Sequence, residues 1–187
     1  DLAAALEAEI AGRLAKPLVV GHSLGGAVGL VLAARDVVNP KGLLLLAPVG
    51  IGDDPDNAFI DQLPELVDGE AAFALLQQLV VRKVLITRRM ADAFVETLAD
   101  ETRRAALRTI AASLKSDAVQ VLFPPACPCT VMWGALDAVV PPPNVPPKGL
   151  RMLPNVGHLP HVEAVSEVAS AVEELLDGAF PPSDAWI

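Results

Sequence analysis

Tyrosine is absent from this sequence, and all aromatic residues together make up only 4% of it. Basic residues are also few: 14 lysines and arginines stand against 23 aspartates and glutamates, which gives a formal net charge of −9 at pH 7. Proteins that bind nucleic acids usually carry a basic surface, so this charge balance predicts no nucleic-acid partner. The longest apolar runs, such as residues 42–48, are too short to span a bilayer, and we therefore expect no membrane partner.

Cysteine is scarce as well, and the two present, Cys127 and Cys129, lie one residue apart in ACPCTVMWG. Two such thiols are too few for a disulfide framework or a four-ligand zinc site, so we expect small buried hydrophobes, no metal and no cofactor. No charged segment is followed by the apolar stretch of a signal peptide, which makes cytoplasmic the default location. The first residue is Asp1 rather than methionine, which leaves room for a native N-terminus and a targeting signal upstream.

Four short apolar runs are typical of buried parallel strands, which are almost continuously hydrophobic. They cover residues 17–21, 42–48, 128–134 and 149–154. Helical patterns lie before or after them, over residues 2–15, 24–35 and 165–176. This alternation predicts an α/β fold built on a parallel sheet.

Residues 53 to about 125 interrupt the alternation, because they contain three helical stretches and no convincing strand. Thr87 and Asp100 are placed to cap the second and third of these helices. We therefore divide the chain into a first part of the core (1–52), a helical cap insertion (53–125) and a second part of the core (126–187). The tail GAFPPSDAWI is expected to be loosely held.

The segment GHSLGG fits the pattern G-x-S-x-G between a predicted strand and a predicted helix, which is the context this motif requires. So sharp a turn would strain the backbone of Ser23, and the close approach of neighbouring chain explains the glycines Gly21, Gly25 and Gly26. Ser23 Oγ would then lie beside a helix N-terminus, with the backbone N–H of Leu24 as an oxyanion donor. From this segment alone, an incidental serine in a glycine-rich turn is the alternative.

An acid and a histidine follow at later strand ends, in the order serine, acid, histidine that this turn predicts. Asp137 follows the third strand in WGALDAVVP, and His158 follows the fourth in LPNVGHLPHVE. The carboxyl ends of parallel strands open on one edge of a sheet. Ser23, Asp137 and His158 can therefore converge as nucleophile, orienting carboxylate and general base.

Other residues of the same types are weaker candidates for the base and the acid. His22 lies inside the turn and is expected to pack beside the site, and His161 is expected to be structural or supporting. Asp36 does not follow a strand in the required order. Asp53 and Asp54 lie just past the second strand and remain alternatives as the acid.

The segments VVGHSLGG, MWGALDAVVP and VGHLPHVEA resemble the three catalytic segments of the α/β-hydrolase superfamily, in the family's order. The resemblance implies a serine hydrolase that cleaves a small-molecule ester or related acyl compound through an acyl-enzyme on Ser23. LLLLAPVGIG and LVVRKVLITRRMADAFVETLADE are similar to the hydrolase-like domain of acyltransferase components of acetoin dehydrogenase complexes. This second resemblance implies an accessory domain of such a complex, and a non-catalytic hydrolase-like module is a third alternative.

The chain departs from the superfamily pattern before the predicted nucleophile strand and after the predicted acid. Members normally have several earlier strands, one of whose loops supplies a second oxyanion N–H, whereas a single helix precedes the turn here. We expect the edge of the nucleophile strand to be unpaired, or covered by a missing N-terminal segment or by self-association. Prolines at positions 141–143, 146 and 147 should shorten or remove the usual crossover helix.

The predicted cap determines substrate in such enzymes, and its composition gives two indications. Its aromatic side chains, among them Phe59, Phe73 and Phe94, include no tyrosine or tryptophan, so we expect an aliphatic pocket. Its basic residues predict solvated helix faces, with recognition of an anionic substrate tail as the alternative. These basic residues are Arg82, Lys83, Arg88, Arg89, Arg103 and Arg104.

Overall fold

A computed structural model describes residues 2–10, 16–35, 38–115, 125–146 and 149–178. The strands in these ranges are β1 (Leu18–His22), β2 (Gly42–Leu46), β3 (Cys129–Gly134) and β4 (Arg151–Leu153). The first four helices are α1 (Leu2–Ile10), α2 (Leu24–Ala34), α3 (Asn57–Gln62) and α4 (Gly69–Leu76). They are followed by α5 (Arg88–Leu98), α6 (Glu101–Leu114), α7 (Pro160–Glu163) and α8 (Val165–Leu176). Short 3₁₀ turns lie at Leu63–Glu65, Gln77–Leu79 and Lys83–Leu85.

The four strands form one parallel sheet in the order β1-β2-β3-β4, which confirms the predicted α/β class. Every residue of β2 and β3 is buried, because helices cover both faces of the sheet. Leu43 and Leu45 pack with Leu30 of α2 on one face. Leu44 and Leu46 pack on the other face, against residues of α8. The near-continuous apolar runs of these strands are the consequence of this two-sided burial.

Residues 53–115 contain the helices α3 to α6 and no strand, as the sequence predicts; we call them the helical segment. The predicted N-cap residues of α5 and α6 are confirmed. Thr87 Oγ1 accepts the N–H of Met90, and Asp100 Oδ1 accepts those of Thr102 and Arg103. The helix α3 was not predicted, and its N-cap is Asp56. Residues 116–124, and with them the predicted end of this segment, lie outside the described residues.

β1 lies at one edge of the described sheet and pairs only with β2 there, which confirms the expected open edge within these residues. Val20, in the middle of β1, is 50% exposed. An apolar groove of about 360 Å³ runs along this edge, between α1 and α2, and is lined by Leu2, Leu6, Val19, Val20, Val28 and Leu32 among others.

Two further predictions concern segments without regular structure. None of the described residues between Asp137 and β4 is helical, in agreement with the effect expected of the prolines. Residues 11–15, the end of the predicted first helix, and 179–187, the tail, lie outside the described ranges. No helix in the described part of the chain is long and apolar enough to cross a membrane.

Candidate active site

Ser23 lies at the carboxyl end of β1, one residue before α2, in a backbone conformation that L-residues rarely adopt. Its φ is 52° and its ψ is −120°. Such a conformation persists only where surrounding structure fixes it. Here the Ser23 N–H donates to Leu46 O at 2.9 Å, and its carbonyl accepts from Gly26 N at 2.9 Å and Val49 N at 3.1 Å. The turn after β1 is therefore held by the segment that follows β2.

Two of the three glycines around Ser23 are sterically required, and the third is not. A Cβ on Gly21 would lie 2.5 Å from the Gly25 carbonyl oxygen, and one on Gly26 would lie 2.6 Å from Pro48 Cβ. A Cβ on Gly25 would meet nothing within 4 Å, so the expected clash at that position is wrong. Gly25 instead lines the apolar groove beside the open edge of β1.

Leu24 is the first residue of α2, so its N–H has no helical carbonyl to bind. The N-terminus of a helix also carries a partial positive charge, which favours an anion placed there. This N–H adjoins Ser23 and is available as the predicted oxyanion donor.

Asp137 and His158 form a buried pair beyond the carboxyl ends of β3 and β4. Asp137 Oδ2 accepts the Nδ1–H of His158 at 2.7 Å, and the two side chains are 0% and 4% exposed. The other carboxyl oxygen, Oδ1, accepts the N–H groups of Val139 and Val140, both at 2.9 Å. The carboxylate therefore has partners on both oxygens, and it fixes the imidazole through Nδ1 rather than Nε2.

The loop that carries His158 packs closely against the end of β3 and against the helical segment. A Cβ on Gly134 would lie 2.1 Å from Gly157 O, so only glycine allows this approach. The N–H of His158 donates to Leu79 O at 2.8 Å. On the other side, the Nε2–H of His22 donates to the backbone carbonyl of His158 at 2.7 Å.

The three histidines form a cluster around His22. The ring centroid of His22 lies 4.7 Å from that of His158 and 4.9 Å from that of His161. Burial, followed by the neighbouring His158, lowers the pKa of His22 from 6.5 to about 4. Burial also lowers the pKa of His161. His22 is therefore neutral near pH 7, with its proton on Nε2, where it bonds the His158 carbonyl.

Ser23 Oγ makes no hydrogen bond to His158, although both residues belong to the described part of the chain. Such bonds are often long in free enzymes and tighten when substrate binds. The structure thus brings Asp137 and His158 into direct contact. It brings Ser23 to the same edge of the sheet, next to the residue whose ring contacts His158.

Comparison with known proteins shows the family. The family model described as the alpha/beta hydrolase family matches residues 1–171. The chain belongs to the alpha/beta hydrolase family. A meta-cleavage product hydrolase from Pseudomonas fluorescens IP01 has the same fold, with a TM-score of 0.74 at 17% identity, over 89% of this chain and 66% of that one.

Two curated relatives of this alpha/beta hydrolase differ in what their names describe. One is the dihydrolipoyllysine-residue acetyltransferase component of the acetoin cleaving system of Pseudomonas putida, 28% identical over 164 residues, or 83% of this chain and 44% of that protein. The other is Lipase 3 of Moraxella sp. (strain TA144), 26% identical over 178 residues, or 86% of this chain and 56% of that protein. The chain thus spans about half the length of these relatives.

The described residues that the sequence offers as alternative acids or base in this alpha/beta hydrolase make no hydrogen bond to Asp137 or His158. Asp53 and Asp54 are exposed, and Asp53 Oδ2 accepts from the Asn144 side chain at 2.9 Å instead. His161 is exposed and contacts the ring of His22. Asp36 lies outside the described residues.

The sequence predicts that Cys127 and Cys129 are small buried hydrophobes and that the chain has no metal site. Cys129 is buried, and burial raises the pKa of its thiol to about 12; burial raises the pKa of Cys127 as well. Both thiols therefore stay protonated at neutral pH. Within the described ranges, no group of three or more histidine, cysteine, aspartate or glutamate side chains could hold a metal ion.

Two residues that support the pair were not predicted from the sequence. Trp133 is wholly buried, and its indole N–H donates to Val140 O at 2.9 Å. Glu163 has a side chain that is 0% exposed and binds backbone N–H groups on both sides of the His158 loop. A lone glutamate in the apolar segment HLPHVEAV was the available signal, but its partners near position 81 are invisible in a local pattern.

Proposed function

We propose that this alpha/beta hydrolase is a serine hydrolase that cleaves a small ester or related acyl compound. Ser23 is the nucleophile, His158 the general base and Asp137 the orienting carboxylate. The observation that carries the proposal is the buried hydrogen bond between Asp137 Oδ2 and His158 Nδ1, beyond the strand ends and on the edge where Ser23 lies. An imidazole held through Nδ1 in this way offers Nε2 as the basic atom.

The reaction runs through an acyl-enzyme. His158 Nε2 takes the proton of Ser23 Oγ as the oxygen attacks the acyl carbon, and the carbonyl π electrons move to the oxyanion. The leaving alcohol then receives that proton from His158 as its bond to carbon breaks and the carbonyl re-forms. Next, His158 takes a proton from water as the water oxygen attacks the acyl carbon, and Ser23 Oγ leaves with that proton as the acid product is released. Asp137 keeps the imidazole in the productive tautomer and stabilises the imidazolium that forms.

The Leu24 N–H serves as one oxyanion donor in this proposal. The oxyanion develops next to Ser23, where the orphan N–H groups at the start of α2 and the positive end of the helix lie. A preorganised donor at this point acts only on the charge that appears in the transition state.

The helical segment serves as a cap, and its charges support a neutral acyl substrate. Arg88 forms an ion pair with Glu70 and lies over the ring of Phe73, 4.8 Å from its centroid. The sequence predicts a solvated face at Arg104 as well, and this is wrong: Arg104 is buried because its guanidinium binds backbone carbonyls. These side chains already have partners, which favours solvated or structural helix faces over an anion-binding pocket.

The proposal is tested by treating the purified chain with a fluorophosphonate and recording its intact mass. We expect one adduct in the wild type, none in Ser23→Ala and none in His158→Ala. Ser166→Ala, at an exposed serine, is the matched control and should retain the adduct. A wild-type chain that gives no adduct would overturn the proposal for this chain and favour a non-catalytic hydrolase-like module.

A second candidate is an accessory hydrolase-like domain that acts with an acetoin-type acyltransferase. The similarity to the Pseudomonas putida component supports it. It predicts a preference for acyl thioesters of dihydrolipoamide over alkyl esters of the same acyl group. Hydrolysis of S-acetyldihydrolipoamide and of ethyl acetate should be compared, with Ser23→Ala as the blank; equal kcat/KM values would speak against this candidate.

A further inference from the structure

Glu163 is a buried carboxylate that joins two segments far apart in the sequence. Its Oε1 accepts the N–H groups of Val81 and Arg82, at 3.0 and 2.8 Å. Its Oε2 accepts that of Gly157 at 2.7 Å and is 3.1 Å from Val81 N. Backbone N–H groups from the helical segment and from the residue before His158 therefore bind one side chain.

The same junction is tightly packed, and Arg82 Nε also lies 3.9 Å from Glu163 Oε1. The Arg82 Nη2 donates to the backbone carbonyl of Glu163 at 2.7 Å, and the His158 N–H donates to Leu79 O at 2.8 Å. A Cβ on Gly157 would lie 2.9 Å from Leu79 O and 3.1 Å from Val80 Cα. Residues 79–82 thus lie directly on residues 157–163, with the Glu163 carboxylate between them.

We propose that Glu163 is a positioning residue for His158. By fixing Gly157 against residues 79–82, it sets the backbone from which the imidazole reaches Asp137 and, in the proposed reaction, takes the proton of Ser23. The inference rests on the proposed function, because it assigns the device that holds the proposed base. It also implies that any movement of residues 79–82 is transmitted to His158.

Both carboxylate oxygens are required as acceptors for this role. An amide at position 163 keeps one acceptor oxygen, which can serve either Arg82 N or Gly157 N. Its NH₂ group then faces the other N–H, donor against donor. A buried N–H left without an acceptor is unfavourable, so one side of the junction should open. A displacement of a catalytic group by about 1 Å can lower the rate about 100-fold.

The experiment compares Glu163→Gln with Glu167→Gln. Glu167 is the matched control, because it is exposed on α8 and its carboxylate binds the neighbouring Ser166 hydroxyl. Four quantities are measured on the intact chain: the rate constant of fluorophosphonate labelling at Ser23, kcat and KM for p-nitrophenyl butyrate, the downfield ¹H NMR signal of the His158 Nδ1–H, and the urea unfolding midpoint.

We expect Glu163→Gln to lower the labelling rate constant and kcat by about 100-fold, with KM changed by no more than about 3-fold. The downfield proton signal should shift or disappear, and Glu167→Gln should match the wild type in all four quantities. Wild-type labelling and an unchanged proton signal in Glu163→Gln, whatever its unfolding midpoint, would overturn the inference, since Glu163 would then act on stability alone.

Failure of the proposed function gives a different pattern. If the wild-type chain is not labelled at Ser23, the hydrolase proposal fails, and the proton signal alone decides the positioning role: a change in Glu163→Gln but not in Glu167→Gln supports it, and no change overturns it.

If Glu163→Gln does not fold, Arg82→Ala takes its place. It removes the bond to the Glu163 carbonyl and the 3.9 Å contact between Arg82 Nε and Glu163 Oε1. We expect labelling to slow by about 5-fold, the equivalent of one ordinary hydrogen bond; an unchanged rate and proton signal would overturn the inference.

Discussion

Trp133 supports Asp137 through a single intervening residue. The indole N–H of Trp133 donates to the carbonyl of Val140, and the N–H of Val140 donates to Asp137 Oδ1. The side chain of Trp133 fills the space beneath the loop, where Gly52 packs on its ring. The position of the proposed acid is therefore set from the interior of the sheet rather than from the surface.

Trp133→Phe should remove this support while leaving most of the buried volume filled. The Val140 carbonyl then loses its donor, and we expect the free energy of unfolding to fall by about 1–3 kcal/mol. Urea unfolding measures this change, and fluorophosphonate labelling should slow with it. Met132→Leu, a neighbouring buried substitution of similar volume, is the control and should cost less than about 1.5 kcal/mol. Equal losses in the two variants would contradict the role of the indole N–H.

Asp137→Asn tests the acid and distinguishes it from its sequence alternative. The amide oxygen can keep the bonds from Val139 and Val140, which turns the NH₂ group toward His158 Nδ1 and forces the proton onto Nε2. The base is then in the wrong tautomer, and kcat should fall by about 10⁴-fold. Asp53→Asn, at the exposed alternative, should leave kcat within about 2-fold because its charge is solvent-screened. The reverse result would assign the acid to Asp53.

Much of the fold could be predicted from the sequence, because the pattern of each element is local. The apolar runs of β2 and β3, the periodicity of α8 and the caps Thr87 and Asp100 each express the burial or hydrogen bonding of a few adjacent residues. The histidine pairing with Asp137 followed from strand order.

Other features could not be predicted, because they depend on contacts between distant residues. The carboxylate of Glu163 accepts hydrogen bonds from Val81 and Arg82, which lie 82 and 81 residues away in the sequence. The indole N–H of Trp133 donates across a loop to the carbonyl of Val140. A side chain at position 25 would enter open space beside β1, and the motif itself does not indicate that space. The short helix α7 begins with a proline and has too few residues for a periodic pattern.

His22 should make the stability of the chain depend on acid pH. Its pKa is lowered from 6.5 to about 4 in the folded chain, chiefly by burial. Between these two values the unfolded chain binds the proton more readily, so the free energy of unfolding falls as pH decreases through this window and is fully retained above it. The loss attributable to His22 is about 3 kcal/mol.

Urea unfolding of the wild type and of His22→Gln at pH 7, 5.5 and 4.5 checks this dependence. Glutamine can still donate to the His158 carbonyl but does not titrate, so the variant should lose less stability on acidification. His161, whose pKa is also lowered, supplies a remaining part of the slope in both proteins. Parallel curves for the two proteins would contradict the assignment to His22.

Arg104 should be essential for the stability of the helical segment. Its guanidinium donates to Leu98 O at 3.0 Å, Pro64 O at 2.5 Å and Leu66 O at 3.1 Å, and so ties the end of α5 to the turn after α3. Arg104→Met leaves three carbonyls without this donor and should cost about 3–5 kcal/mol of unfolding free energy. Arg103→Met, at an exposed neighbour, should change it by less than about 0.5 kcal/mol. Comparable values in thermal or urea unfolding would refute the structural role.

The double substitution Arg88→Ala with Arg89→Ala tests the anionic-substrate alternative. Because Arg88 is paired with Glu70, we expect KM for a neutral and an anionic ester of the same acyl chain to change by the same factor, within about 2-fold. Steady-state kinetics on the two esters provides the measurement. A rise in KM confined to the anionic ester would instead show that this face recognises the substrate.

The bond between His22 and the His158 carbonyl closes a loop of 136 residues. Contacts of such sequence separation form late in folding, because the entropy of closing the intervening chain must be offset by structure already made. The strained turn at Ser23 is local and can form with β1 and β2. The loop that carries His158 bonds to Leu79 of the helical segment, so we expect the base to be positioned only after that segment has docked. We therefore expect the nucleophile to become reactive in the last kinetic phase of refolding, after most of the helical signal has been recovered.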